Sequence, residues 1–166
     1  MSPFLIDLAT LEPGLNRVEL ECEAAELGLE PAEWQGRVRG VLDVEKSGEQ
    51  VSVRGRLEAR AGVDCVRCLR TVELPLEPAL EVFAERAGTS RRIAEEQELE
   101  RDDYMKFHDG RHLDLRDEAR ELLLLELPMA PLCRADCRGL CPRCGADLNS
   151  GPCGCSSSAE NGSGGR

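Results

Sequence analysis

VSVRGRLEAR, residues 51–60, alternates apolar and polar side chains: Val51, Val53, Leu57 and Ala59 share one parity, while Ser52, Arg54, Arg56, Glu58 and Arg60 share the other. Successive side chains of a strand point to opposite faces, so this stretch reads as a half-buried β-strand with one face on a core. Upstream, Val38, Leu42 and Val44 share a parity, and Lys46-Ser47-Gly48-Glu49 suits a hairpin turn. Downstream, Val72, Leu74, Leu76, Leu80 and Val82 hold one parity from Thr71 to Phe83. Pro75 and Pro78 lack the N–H that a ladder needs, which puts this third strand at an edge or makes it bulged. The expectation is an antiparallel β-meander of three or more strands, its second connection (61–70) carrying Cys65 and Cys68.

Working outward, residues 4–11 suit a short strand or turn before the break at Pro13-Gly14, and residues 15–30 a strand followed by a loop. On the other side, residues 85–103 hold seven acids and four bases with little apolar content, a solvated linker. Tyr104 to His108 suits one more short strand. A helix then opens at Asp114, whose carboxylate can cap it, with acids at 117 and 118 matching the positive end of the dipole. Leu115, Ala119, Leu122 and Leu123 form its stripe, thickened by Leu124 and Leu125, and Pro128 ends it. Packed on the meander, this helix makes the fold class α+β, with a cysteine-rich zinc-knuckle extension behind it. The divisions are residues 1–127 for the α+β domain including the linker, 128–155 for the zinc module, and 156–166 (SSSAENGSGGR) for a disordered tail.

Composition narrows the function. The chain has 166 residues and a formal net charge of −11, from 32 acids against 21 bases. Nucleic-acid affinity rests largely on basic residues displacing counterions, so an acidic chain more naturally meets a basic protein. No run approaches the length of a membrane span, and MSPFLIDLATLEPG lacks the basic start of a signal peptide, which points to the cytoplasm. Thiols stay reduced there, so nine cysteines read as metal ligands or redox groups and not as a disulfide framework. Aromatics are only 3% of the chain, so a small satellite module needs a staple other than a core.

Eight of those cysteines fall in pairs: Cys65-x2-Cys68, Cys133-x3-Cys137, Cys141-x2-Cys144 and Cys153-x-Cys155. Zinc takes four tetrahedral ligands, and closely spaced thiolates in tight turns supply them two at a time. In CPRCGADLNSGPCGC (141–155), Pro142 and Gly145 shape a knuckle, and Gly151, Pro152 and Gly154 bend the second half back. A structural zinc contributes roughly 10–16 kcal/mol in such peptides, more than so small an apolar content can. The first assignment is one site from Cys141, Cys144, Cys153 and Cys155 and a second from Cys65, Cys68, Cys133 and Cys137. Alternatively, Cys133, Cys137, Cys141 and Cys144 share one ion, and Cys65-Cys68 joins Cys153-Cys155 or stays free. Spacing leaves both open, with one or two structural zinc ions.

Arg67, Arg70, Arg134, Arg138 and Arg143 sit among the clusters. The plain reading is that they offset thiolate charge. The sharper one, a weak signal, is a face for RNA or a partner, without the aromatic platform that usually accompanies single-stranded binding. Cys65-Val66-Arg67-Cys68 could instead be a redox pair, though such motifs sit where a strand feeds a helix. His108 and His112 flank a turn and read as surface residues, Trp34 as a core anchor, and Cys22 as a buried small hydrophobe. No GxSxG, HExxH or phosphate loop is present, so no catalytic residue is expected and the chain reads as a non-enzyme without a small-molecule substrate.

DCVRCLRTVEL (64–74) together with LDLRDEARELLLLELPMAPLCRADCRGLCPRCGADLNSGPCGC (113–155) resembles the YceD family, described as large ribosomal RNA subunit accumulation proteins. The helix ending in ELP, the following Cys-x3-Cys and GLCPRCGADLN carry the resemblance jointly. It implies a role in synthesis, processing or stability of 23S rRNA, hence in large-subunit biogenesis. By similarity, Cys65 and Cys68 match the family's central pair and Cys133 and Cys137 its post-helix pair. The remaining four match an extension, which supports two separate sites. The expected partner is a basic ribosomal protein or assembly factor, with rRNA contacted directly or through it. The rival function is a cytosolic thiol redox or redox-sensing zinc protein using Cys65 and Cys68.

Overall fold

A computed structural model of the chain describes residues 3–88 and 105–155. The chain divides into two compact units: residues up to Ala61 with Leu74–Leu127, and Gly62–Glu73 with the chain from Pro128 on.

In the first unit, β1 (Leu5–Asp7) pairs antiparallel with β8 (His112–Asp114). The larger sheet has the order β2 (Gly14–Glu23), β3 (Arg37–Ser47), β4 (Gln50–Asp64), β6 (Ala79–Arg86) and β7 (Met105–His108), with β5 (Thr71–Leu76) also on β4. From β2 to β4 each strand lies antiparallel beside its successor. The alternation at 51–60 is read out as expected: Val51, Val53, Leu57 and Ala59 are buried, and Arg54, Arg56, Glu58 and Arg60 are exposed. Gly55 falls on the inward parity, opposite Leu42 of β3, where the neighbouring backbone leaves no room for a side chain. A Cβ there would stand 2.1 Å from the Val41 carbonyl oxygen and 2.8 Å from Leu42 Cα. Trp34 and Cys22 are buried, as their composition suggested.

The expected third strand, 71–83, is two strands. Leu76 ends β5 and Ala79 starts β6, and the Pro78 carbonyl between them accepts the Leu57 N–H at 3.0 Å. Proline cannot donate, so the ladder is interrupted where Pro78 stands. Two linker positions, Glu85 and Arg86, belong to β6, and positions 89–103 lie outside the described residues, as do Tyr104 and the tail 156–166. β7 pairs with β6 in parallel, so the sheet is not wholly antiparallel.

The helix, α1, spans Arg116–Glu126 and packs against β6 and the 3₁₀ turn Ala24–Leu27. It opens later than expected because the Leu115 N–H bonds to the Phe4 carbonyl, continuing the β1–β8 region. Asp114 nevertheless accepts the Arg116 N–H at 3.0 Å. Leu115, Ala119 and Leu123 are fully buried, whereas Leu125 is 81% exposed and Leu124 is exposed as well, so these two do not thicken the stripe. Lys106 of β7 holds Glu118 at 2.6 Å.

Contrary to the expectation of a surface turn residue, His108 is buried. Its Nδ1 accepts the Gly110 N–H at 3.0 Å, which leaves Nε2 to donate to the Glu49 carbonyl at 2.9 Å. Both ring nitrogens are engaged in holding the turn. His112 remains at the turn, 3.2 Å from Asp109. No described helix is long and apolar enough to cross a membrane.

Candidate metal centres

The second unit is built from two chain segments that meet through backbone hydrogen bonds. Val66 N–H donates to the Pro131 carbonyl at 3.0 Å, and Leu140 N–H to that of Arg67 at 3.1 Å. These contacts bring the Cys65–Cys68 turn against the chain that carries Cys133 and Cys137. The four Sγ atoms then lie within 4.8 Å of one another, with Cys65–Cys137 at 3.7 Å and Cys68–Cys133 at 3.5 Å. A tetrahedron with metal–sulfur bonds of about 2.3 Å has edges of about 3.8 Å, so the spacing fits a tetrathiolate ion. Cys65 and Cys137 are almost wholly buried, and Leu132 and Leu140 pack against the cluster.

Cys141, Cys144, Cys153 and Cys155 form the second group, again with all Sγ atoms within 4.8 Å. Both groups contain a Cys-x2-Cys knuckle of the same construction. Leu69 N–H donates to the Cys65 carbonyl at 2.9 Å, and Gly145 N–H to the Cys141 carbonyl at 2.8 Å. The closing residue is left-handed in each, Leu69 at φ 60° and Gly145 at φ 74°.

This turn aims backbone amides at sulfur. The N–H of Cys68 is the largest influence lowering the Cys65 thiol to about 6, and those of Cys144 and Arg143 lower Cys141 to about 6. One thiol of each group resists ionisation. Burial first, then hydrogen sharing with Cys68, Cys137 and Cys65, pushes Cys133 up to about 12. Sharing with Cys144, then burial, pushes Cys155 to about 12. Each group thus holds at least one thiol prepared to be a thiolate, Cys65 and Cys137 in the first and Cys141 in the second, beside one that ionises readily only if a cation enters.

Asn149 was missed by sequence reasoning, although it closes the quoted GADLN segment. Its Nδ2 donates to Cys137 Sγ at 3.4 Å and to Asp147 at 2.8 Å, and its Oδ1 accepts from Arg138 N–H and Arg134 Nη2, both at 2.8 Å. That amide is the first cause lowering the Cys137 thiol. The arginines divide. Arg67 donates to the Cys137 carbonyl at 2.8 Å, Arg70 pairs with Asp147 at 3.3 Å, and Arg134 reaches Asn149 and Asp136. The guanidinium groups of Arg138 and Arg143 have no partner among the described residues and are exposed.

A family model, "Large ribosomal RNA subunit accumulation protein YceD", matches residues 53–163. An uncharacterised protein of Mycobacterium tuberculosis is 36% identical over 158 residues, 91% of this chain and 73% of the relative. One of Mycobacterium leprae is 34% identical over 145 residues, 87% of this chain, which spans 61% of that relative's length. A YCED homologue of Arabidopsis thaliana, described as chloroplastic, is 24% identical over 135 residues, 69% of this chain and 42% of the relative. No solved structure matches. With two tetrathiol groups on the segments that the family model covers, this chain belongs to the YceD family of large ribosomal RNA subunit accumulation proteins.

Proposed function

We propose that the chain is a non-enzymatic zinc-binding factor in large ribosomal subunit biogenesis that supports synthesis, processing or stability of 23S rRNA in the cytoplasm. The observation that carries this reading is the family match across 53–163, which takes in all eight clustered cysteines. Zinc is the metal that two closed four-sulfur sets favour, since structural zinc sites are tetrahedral and thiolate-rich. The acidic net charge of −11 favours a basic ribosomal protein or assembly factor as the direct partner, with rRNA reached through it. Of the five arginines among the cysteine clusters, Arg138 and Arg143 are the ones with guanidinium groups free for a direct phosphate contact.

A thiol redox role for Cys65 and Cys68 is the weaker alternative. Cys65 has 0% exposure, whereas a thiol that exchanges with a substrate must be reached. Deletion in the native host tests the proposal, with the large-subunit to small-subunit rRNA ratio as readout and complementation by the wild-type chain. A fall on deletion and co-sedimentation of the chain with large-subunit precursors are expected. An unchanged ratio and no sedimentation with those particles would refute the role.

A further inference from the structure

Two of the chain's three phenylalanines stand on the solvent side of the sheet, Phe83 at 43% and Phe107 at 49% exposure, with Met105 beside them. The register aligns Leu15, Glu45, Ser52, Phe83 and Met105 in one row across β2, β3, β4, β6 and β7. Short Ser52 lies between Glu45 and Phe83, so the row is concave. A groove of about 340 Å³ opens there, lined by Glu45, Ser47, Gln50, Ser52, Phe83 and Met105.

Its charge identifies the occupant. Arg54 lies over the Phe83 ring at 5.8 Å but is neutralised by Glu81 at 2.9 Å, and Arg86 by Glu49 at 3.2 Å. Glu45 has no hydrogen-bond or ion-pair partner among the described residues, and neither has Asp43 next to it on the same face. An apolar wall facing an unpaired carboxylate suits an apolar side chain adjacent to a lysine or arginine, and repels phosphate.

We infer that this groove docks a segment of a basic protein, its apolar side chain between Phe83 and Met105 and its cation on Glu45. The inference rests on the reading above that the partner is a basic protein, and gives that partner a binding surface. Neither cysteine group takes part in it.

A photo-crosslinking residue in place of Phe83 in the full chain, expressed in the native host, tests it. The expected adduct is to a basic protein, at a peptide with Lys or Arg beside the crosslinked apolar residue. Its yield should fall about tenfold with Glu45→Lys and recover when the partner's cation is exchanged for Glu. Adducts only to residues 89–104 of the same chain, to a second copy or to RNA would overturn the inference, as would indifference to Glu45→Lys. Glu45→Lys should keep wild-type metal content and thermal midpoint, since Glu45 is exposed and unpaired. The rRNA ratio separates the two proposals. If deletion lowers it and the Glu45→Lys chain restores it fully, the groove fails and the biogenesis role stands. If deletion leaves it unchanged, the biogenesis role fails, while the adduct still decides the groove.

Discussion

The side-chain amide of Asn149 donates to Cys137 Sγ at 3.4 Å, so a residue of the second cysteine loop touches a thiol of the first group. Outer hydrogen bonds of this kind position ligands, and losing one typically weakens metal binding about 10–100-fold. On the zinc reading proposed above, Asn149→Ala should weaken metal binding at the Cys65, Cys68, Cys133 and Cys137 group by that order, although Asn149 is not in the four-sulfur set. Competition against a chromogenic chelator reads this as earlier release of one ion. Unchanged release of both ions would show that the contact is incidental.

The two knuckles differ at the residue that closes them. Leu69 is left-handed, which costs a side chain of order 1 kcal/mol or more, and it is 65% exposed, so little packing compensates. Leu69→Gly should therefore stabilise the second unit by up to about 1 kcal/mol, and Gly145→Ala should destabilise it by a similar amount. Chelator titration or thermal unfolding of the metal-loaded chain shows the pair of opposite signs; a shift in the same direction for both would contradict the reading.

Gly55 is a packing constraint in the first unit. Its neighbours are backbone atoms of Val41 and Leu42, which cannot swing aside. Gly55→Ala should cost about 3 kcal/mol, the upper end of ordinary overpacking. Denaturant unfolding of the metal-loaded chain measures it, and a loss under about 0.5 kcal/mol would mean that β3 and β4 part easily there.

Cys22 supplies a pH test away from the metal groups. Burial first, then Glu26, Glu23 and Glu21, pushes its thiol up to about 11 from an ordinary value near 9. The folded state favours the neutral thiol, so its contribution is complete below about pH 9 and is lost as pH rises from 9 through 11. Cys22→Val removes this titration. Stability of the wild type relative to the variant should decline over that window and stay level below it. A difference that is flat from pH 8 to 11 would refute the shift.

How much of this was legible follows from physical reach. The alternation at 51–60 is readable because one face is buried and the other wet, and Pro78 marks a break because a missing N–H acts locally. The parallel β6–β7 pairing was not legible: β7 has four residues, too few to carry a register, and its partner lies across a charged stretch. His108 looked like a turn residue because its acceptor, the Glu49 carbonyl, is 59 positions away. Spacing proposed which cysteines pair but left their grouping open, since the Val66–Pro131 and Leu140–Arg67 bonds that bring the segments together are backbone contacts with no side-chain signature. Asn149 escaped for a similar reason. A lone asparagine in a turn has many ordinary local uses.

Hydrogen exchange of the full chain before and after chelation tests the central claim most directly. With metal bound, amides of 62–73 and 128–155 should be protected. On chelation they should exchange freely while β3 and the 50–61 part of β4 keep their protection. Unchanged protection of 128–155 in a chain verified to be metal-free would contradict the account.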